Sequence, residues 1–418
     1  MSKRLKWILA AVALAVMVFA GAAFAAFLSM RDRPQGALDT QLSGVTVSGV
    51  TTHVKVRRPA VTTGDKMCWR SFGGNPQRTL ARPSVDLGIP ERKPLWSRVL
   101  DGYMEFPPTY CDNTLYVNTL LGYTWAIDAT TGKVRWRRKV DGAKPSSPAI
   151  DGELVIVSSK DGTVTALDRR TGRPRWVLRT PGGDESSPVA VDGLVYFGSQ
   201  DGRLYAVRAS DGHVGWAYDT GGRINSSPSI FGRRVCVTTY AGAIVCLNRR
   251  TGQKLWVTYV KRDAFRWESF YASASTDGQR LYTISRDGRV VAVRASDGQV
   301  VWTQQVAGWG YTTPAVAYGK VFIGGFDGKM HAYHAATGAE AWSTYVGGKI
   351  LGAPVVIGKL VFFSTHEGRT YALRVSDGKL MWKIPFGRYS PGIATERTYY
   401  FSLNGRLLAL RGRTSPKT

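Results

Sequence analysis

The side chains equipped for covalent, acid–base or metal chemistry are few: four cysteines, five histidines and 30 acids in 418 residues. His331 and His334 lie three apart in a strand-like stretch, so they point to opposite faces and cannot chelate together. His366, beside Glu367, falls in a hairpin turn. No CxxCH haem site, Walker loop or HExxH motif is present. Asp161, Asp201, Asp287 and Asp327 each precede a glycine, where a carboxylate makes local turn hydrogen bonds. Glu105, Asp184, Glu185 and Glu268 precede strand-like runs and can face a common centre, but no spacing singles out a metal-ligand set. In VCVTTYAGAIVCL, centring the turn on Ala241 sets Cys236 directly opposite Cys246, as a cross-strand disulfide or, if reduced, two buried thiols. Cys68 and Cys111 then remain, and a bond between them would staple the extension MCWRSFGGNPQRT onto the element that follows it.

The elements that must position these groups repeat. Trp96, Trp136, Trp176, Trp216, Trp256, Trp302, Trp342 and Trp382 are separated by 40, 40, 40, 40, 46, 40 and 40 residues. Self-similarity at such a period is the signature of a repeat architecture. Each unit opens on Ser-Ser-Pro or a relative (SSPAI, SSPVA, SSPSI, TTPAV, GAPVV), then alternates short apolar runs with glycine-containing turns before ending at its tryptophan. Four short strands joined by tight turns, with glycine supplying positive φ, satisfy that pattern. Four-stranded units of this length build propeller blades. Eight three-strand sets begin near Phe106, Ser146, Ser186, Ser226, Ser269, Thr312, Gly352 and Ser390, and the last has no tryptophan strand after it. The strand ending at Trp96 must therefore complete the final blade, which closes the ring and removes open sheet edges. The eight tryptophans are expected to be inter-blade packing, since a buried aromatic covers up to about 250 Å².

Segments such as AIDATTGKVRW, ALDRRTGRPRW and CLNRRTGQKLW resemble the PQQ-like repeat of quinoprotein dehydrogenases and of BamB-type envelope propellers, over about residues 67 to 411. A Trp-Asp dipeptide does not recur at the blade ends, which rejects the WD40 reading. The resemblance implies either a non-catalytic assembly scaffold of the cell envelope or a PQQ-dependent oxidoreductase. The second would hold PQQ and Ca²⁺ near the axis, beside adjacent cysteines, acidic and amide ligands and a catalytic aspartate. This chain lacks a Cys-Cys pair and the long insertions of those enzymes, so the scaffold is the reading taken, with no cofactor expected.

Departures from the repeat are where a partner should bind. The 46-residue period contains KRDAFRWESFY, which presents Lys261, Arg262, Phe265, Arg266, Trp267 and Phe270, and the next connection brings Trp309 and Tyr311. Aromatics interleaved with arginine suit burial of a polypeptide partner or a sugar polymer; the competing expectation is that this insertion folds inward and plugs the central opening. On the opposite face, the turns after third strands carry Arg169, Arg170, Arg208, Arg249, Arg250, Arg294 and Arg374, a basic rim suited to a membrane surface or an anionic wall polymer. The formal charge of +26 agrees with anionic surroundings.

Lys3, Arg4 and Lys6 precede 24 uncharged residues, Trp7 to Met30. About 20 apolar residues span a bilayer, which favours an uncleaved transmembrane anchor over a signal peptide, although Ala23-Phe24-Ala25 offers a cleavage pattern. No cysteine directly follows the run, which excludes a lipoprotein anchor. The expected organisation is an anchor over residues 1–30, a flexible linker over 31–66 and a monomeric eight-bladed propeller over 67–418 on the extracytoplasmic side. An exported location makes nucleic acid an unsuitable partner, although single strands use a similar residue mix.

Overall fold

The computed structural model describes residues 68–140, 142–143, 145–260, 269–389, 392–403 and 405–413. The expected anchor and linker lie outside the described residues; among those described, no helix is long and apolar enough to cross a membrane. The described residues are all-β and fold into eight sheets. Blade 1 comprises Thr109–Cys111, Thr114–Asn118, Tyr123–Asp128 and Val134–Lys139 in simple up-and-down order. Blades 2 to 7 repeat it. Blade 8 is completed across the termini: Ile89–Val99 pairs antiparallel with Arg406–Arg413, setting Trp96 opposite Ala409. The middle strands are buried on both faces while the fourth strand shows its outer side to solvent, as in Leu154–Ser158 against Pro174–Arg179.

The repeat motif has a physical reading at each blade boundary. In blade 2 the Asp168 carboxylate accepts from the Arg170 and Thr171 amides at 3.1 and 2.9 Å and from the Thr171 hydroxyl at 2.8 Å. The hydrogen bond from Arg175 holds that carboxyl down at about 2. The turn so fixed puts Gly172 at φ 69°, where a Cβ would stand 2.6 Å from the ring of Trp136. Tryptophan of one blade thus lies flat on the glycine of the next. Seven of the ring indoles also donate to a backbone carbonyl of the following blade, at 2.7–3.2 Å.

The Ser-Ser-Pro openings and their relatives make a second run of contacts, nearer the axis, from blade 2 to blade 6. The amides of Ser147, Ser187, Ser227 and Ser273 donate to the hydroxyls of Ser187, Ser227, Ser273 and Thr313, at 3.0, 2.9, 2.8 and 3.2 Å. Each of these four amides is therefore satisfied by the next blade, which couples backbone accounting to blade docking from blade 2 to blade 6.

Both disulfides are formed, Cys68–Cys111 and Cys236–Cys246, and Cys236 faces Cys246 in the ladder. The extension that Cys68 tethers does more than lie on blade 1. Trp69 bridges Tyr110 of blade 1. The chain then crosses the axis, and carbonyls of Arg70, Pro76, Gln77, Thr79 and Leu80 accept from Ile150, Ile230, Thr276, Val316 and Val356 at 2.8–3.1 Å. Those amides belong to the inner edges of blades 2, 4, 5, 6 and 7. Ala81–Arg82 then adds a parallel fifth strand to blade 7.

Arg78 reaches blade 3 and reinforces blade 4: its guanidinium donates to the carbonyls of Ser187 (2.8 Å), Pro228 (2.5 Å) and Phe72 (2.7 Å). Burial pulls this group down to about 9, which leaves it charged at neutral pH against three carbonyl dipoles. Trp69 donates its indole N–H to Ala394 of blade 8 at 2.6 Å. One segment, Trp69 to Arg82, is hydrogen-bonded to all eight blades. The sequence expectation put a central plug, if any, in the insertion around residue 265, whose residues 261–268 lie outside the described residues; the extension ahead of blade 1 closes the axis on one side.

Candidate axial binding site

Above that segment a cavity of about 390 Å³ opens on the face bearing the connections between blades. Phe72 and Leu80 of the crossing segment line it. Its walls come from several blade connections: Phe106, Tyr271, Trp309, Tyr311 and Tyr389, with Phe326 from a second-to-third-strand turn. The rings are organised edge to face, Phe72 on Phe106 and Tyr271 on Tyr311, both with centroids at 5.3 Å. Trp309 and Tyr311 each lie about 6 Å from Phe326, at 6.2 and 5.8 Å. Trp309 is 53% exposed, and Tyr103, Leu121 and Tyr345 stand still more exposed in or beside connections of the same face. Cations fringe the basin: Arg286 over Trp309 at 5.6 Å, Lys349 over Phe326 at 5.6 Å and Arg388 over Tyr389 at 5.1 Å. Such pairs hold the aromatic faces in place while leaving positive charge at the mouth.

The polar wall is a small network. Glu185 accepts from Asn225 at 2.7 Å and from the Tyr271 hydroxyl at 3.1 Å, and its other oxygen meets Lys160 at 3.1 Å. Burial raises the Glu105 carboxyl; the charge of Glu185 adds to that and Lys160 opposes it. Burial likewise pushes the Tyr271 phenol up, helped by the same two carboxylates. Asp184, next to Glu185, is fully buried below the site and one of its oxygens has no hydrogen-bond partner.

Of the residues expected to meet a partner, Trp309 and Tyr311 converge on the cavity. Lys261, Arg262, Phe265, Arg266 and Trp267 lie outside the described residues, as does Glu268. Phe270 requires correction: it is fully buried and packs between blades 4 and 5, so it offers nothing to a partner. Its amide donates to Thr239, as Ile224 does to Ser199 and Ile350 to Gly325; Phe270 fills the column those isoleucines fill. Phe72, Phe106, Phe326 and Tyr389 were not expected at the site. Each comes from a different part of the chain, and no spacing connects them.

On the opposite face the arginine rim is largely engaged by acids. Arg169 pairs with Asp112, Arg249 with Asp192 and Arg374 with Asp377; Arg208 meets Asp211 at 2.9 Å and Arg294 meets Asp297 at 2.8 Å. Arg170 and Arg250 are exposed without an ion-pair partner among the described residues.

The cofactor implied by the quinoprotein resemblance needs several oxygens converging on a calcium ion. Glu185 already spends both oxygens on Lys160, Asn225 and Tyr271, which leaves Glu105 as the carboxylate of the cavity. Among the described residues, the one group of three ligand-type side chains close enough to share an ion is Cys68, Cys111 and Asp112, whose sulfurs are joined to each other. The donor set does not fit the ion-bound quinone.

Comparison with known proteins agrees with this architecture. A curated relative, the outer membrane protein assembly factor BamB of Marinobacter adhaerens (strain DSM 23420 / HP15), is 32% identical over 84 residues, 20% of each chain. The aligned part is thus far less than two thirds of that relative. The crystal structure of BamB from Moraxella catarrhalis superposes with a TM-score of 0.67 at 18% identity, covering 77% of this chain and all of that one. Quinohemoprotein alcohol dehydrogenase ADHIIG from Pseudomonas putida HK5 gives a TM-score of 0.70 at 14% identity, covering 84% and 81%. At these identities both likenesses concern the fold. The family match is broader, spanning residues 61–267, 264–382 and 346–416, and by it the chain belongs to the family of the outer membrane protein assembly factor BamB.

Proposed function

We propose that this protein is a non-catalytic scaffold that docks other proteins of the cell envelope, held at the membrane by its N-terminal apolar run with the propeller on the extracytoplasmic side. The observation that carries the reading is the axial basin: half-exposed Trp309 among Tyr311, Phe326 and Tyr389, fringed by three cations and floored by the chain's own Phe72 and Leu80. An exposed aromatic cluster with arginine at its edge is the composition of an interface hot spot. A rigid floor of backbone hydrogen bonds keeps the basin preformed, which lowers the ordering cost of binding. Family membership and the BamB structure support an assembly role over an enzymatic one, as does the poor fit of the calcium donors.

The test is affinity capture from detergent-solubilised envelopes with the full chain as bait, beside a Trp309→Ala, Tyr311→Ala variant. A protein retained at high salt by the parent and lost by the variant supports the scaffold. Equal retention by both sinks the basin as the docking site. Thermal stabilisation by added PQQ and Ca²⁺, growing with ligand concentration, would replace the reading with the oxidoreductase.

A further inference from the structure

Blades 1 and 2 differ from the other six on their outer edge. The residues one before, one after and three after the ring tryptophan lie on the perimeter strand of each blade. In blade 1 they are Arg135, Arg137 and Lys139, and in blade 2 Arg175, Val177 and Arg179, all exposed. The same three positions of the other six blades hold a single cation, Lys383. Nothing in the repeat demands this bias, because the blades without it close the ring equally well.

Acids answer only part of this charge. Arg135 meets Asp128 at 2.7 Å, Arg137 meets Asp101 at 2.5 Å and Arg175 meets Asp168 at 2.5 Å, while Arg179 donates to the Thr163 hydroxyl at 3.2 Å. Lys133, Lys139, Arg170 and Arg173, on the same two edges, are exposed and have no ion-pair partner among the described residues. None of these side chains lines the axial basin or another of the larger cavities. Val134 and Val177, 39% and 54% exposed, stand among the cations.

We propose that the outer edge of blades 1 and 2 is a contact surface for anionic lipid, so that the propeller lies with this side against the membrane. The inference rests on the membrane placement proposed above and adds an orientation to it. Charge complementarity selects an anionic occupant, and shape selects a planar one. An edge without a groove gives an extended polymer no channel and gives a protein partner no pocket for an anchor residue. A layer of headgroups instead meets each long side chain separately, and every lysine or arginine near it adds its own attraction. Apolar stems and the two valines suit the level at which headgroups meet acyl chains.

The test reconstitutes the full chain into lipid nanodiscs, either of phosphatidylcholine alone or of phosphatidylcholine and phosphatidylglycerol in equal parts. Lysine acetylation is then followed residue by residue by mass spectrometry, with exposed Lys329 of blade 6, across the ring, as the internal reference. Lys133 and Lys139 are expected to react about threefold or more slower in the anionic discs, relative to Lys329, and to recover in high salt. Arg170→Gln with Arg173→Gln should weaken that protection. Val301→Glu with Thr303→Glu, which lowers the net charge equally but on blade 5, should leave it intact. Both pairs are exposed, and an unchanged melting temperature checks that each variant is folded. Equal loss in the two variants overturns the proposal in favour of net charge alone. A chain that stays with both kinds of disc while Lys133 and Lys139 react alike in each overturns it and leaves the anchor standing. A chain that stays only with anionic discs, its lysines protected, supports it and removes the anchor; a chain that stays with neither overturns both. Inorganic polyphosphate that protects the same lysines as fully in neutral discs overturns it in favour of an anionic polymer.

Discussion

Trp69 donates its indole N–H to the carbonyl of Ala394 at 2.6 Å, joining two residues 325 positions apart. The segment behind Trp69 reaches every blade, and Arg78 is its centre, with three carbonyls on one buried guanidinium. Arg78→Met leaves those carbonyls without a donor and is expected to cost roughly 3 kcal/mol. Urea unfolding measures it, with Arg78→Lys falling between variant and parent because an ammonium cannot match the planar fork. An unchanged midpoint for Arg78→Met would mean that the crossing segment is a passenger.

Asp184 carries a pH signature. Its burial holds the carboxyl well above the ordinary range, while in the unfolded chain it titrates near about 3.9. Above that value the unfolded chain has lost a proton the folded chain keeps, so stability is full at lower pH and falls as pH rises. Asp184→Ile, which matches Ile224 one repeat on, is expected to raise the melting temperature more at pH 7.5 than at pH 4. A gain of equal size at both values contradicts the assignment.

The run of hydroxyl acceptors predicts a local penalty. Ser187→Ala removes the acceptor for the Ser147 amide, a buried donor. A loss of about 1–3 kcal/mol is expected. Ser187→Thr keeps the hydroxyl and should keep most of the stability in the same calorimetric comparison.

The two disulfides close loops of very different length, with sequence separations of 43 and 10. Loop-closure entropy gives about 4 kcal/mol for the first and about 3 kcal/mol for the second. Cys236→Tyr with Cys246→Ala restores the residues found one repeat earlier, Tyr196 facing Ala206, and should recover part of the smaller term through packing. Reductant should lower the melting temperature of that variant by about as much as the Cys68–Cys111 bond is worth, and leave a Cys68→Ser, Cys111→Ser chain changed only by the shorter loop.

How much of this could be read beforehand depended on period. Trp136 and Gly172 recur because one lies on the other, so any sequence that builds the ring must repeat them, and the blade number and the seam followed from counting. The crossing segment has no period, since it meets the blades one after another with different residues and does not repeat itself. Most of its carbonyls bind regardless of side chain, and only a few side chains, Trp69 and Arg78 first among them, carry a chemical mark. Phe270 was misplaced because the six extra residues before it hid its column; counted backward from Thr312 it aligns with Ile224 and Ile350. Trp309 and Tyr311 stood out as departures from the repeat, whereas Phe72, Phe326 and Tyr389 meet them only once the ring has closed.

The crossing segment also sets an order of events. Trp69 and Arg78 are made before any blade exists, yet their partners are spread along the whole chain as far as Ala394. Blades can form one after another from local hairpins, but the first-made stretch must wait unpaired until the last has been delivered. Such long-range closure is slow, and the interval leaves strand edges and the apolar faces of Trp69 and Phe72 open to other chains. A polypeptide made residue by residue meets this interval at every synthesis, so the yield of closed rings is set by how long Trp69 and Phe72 stay uncovered before blade 8 arrives.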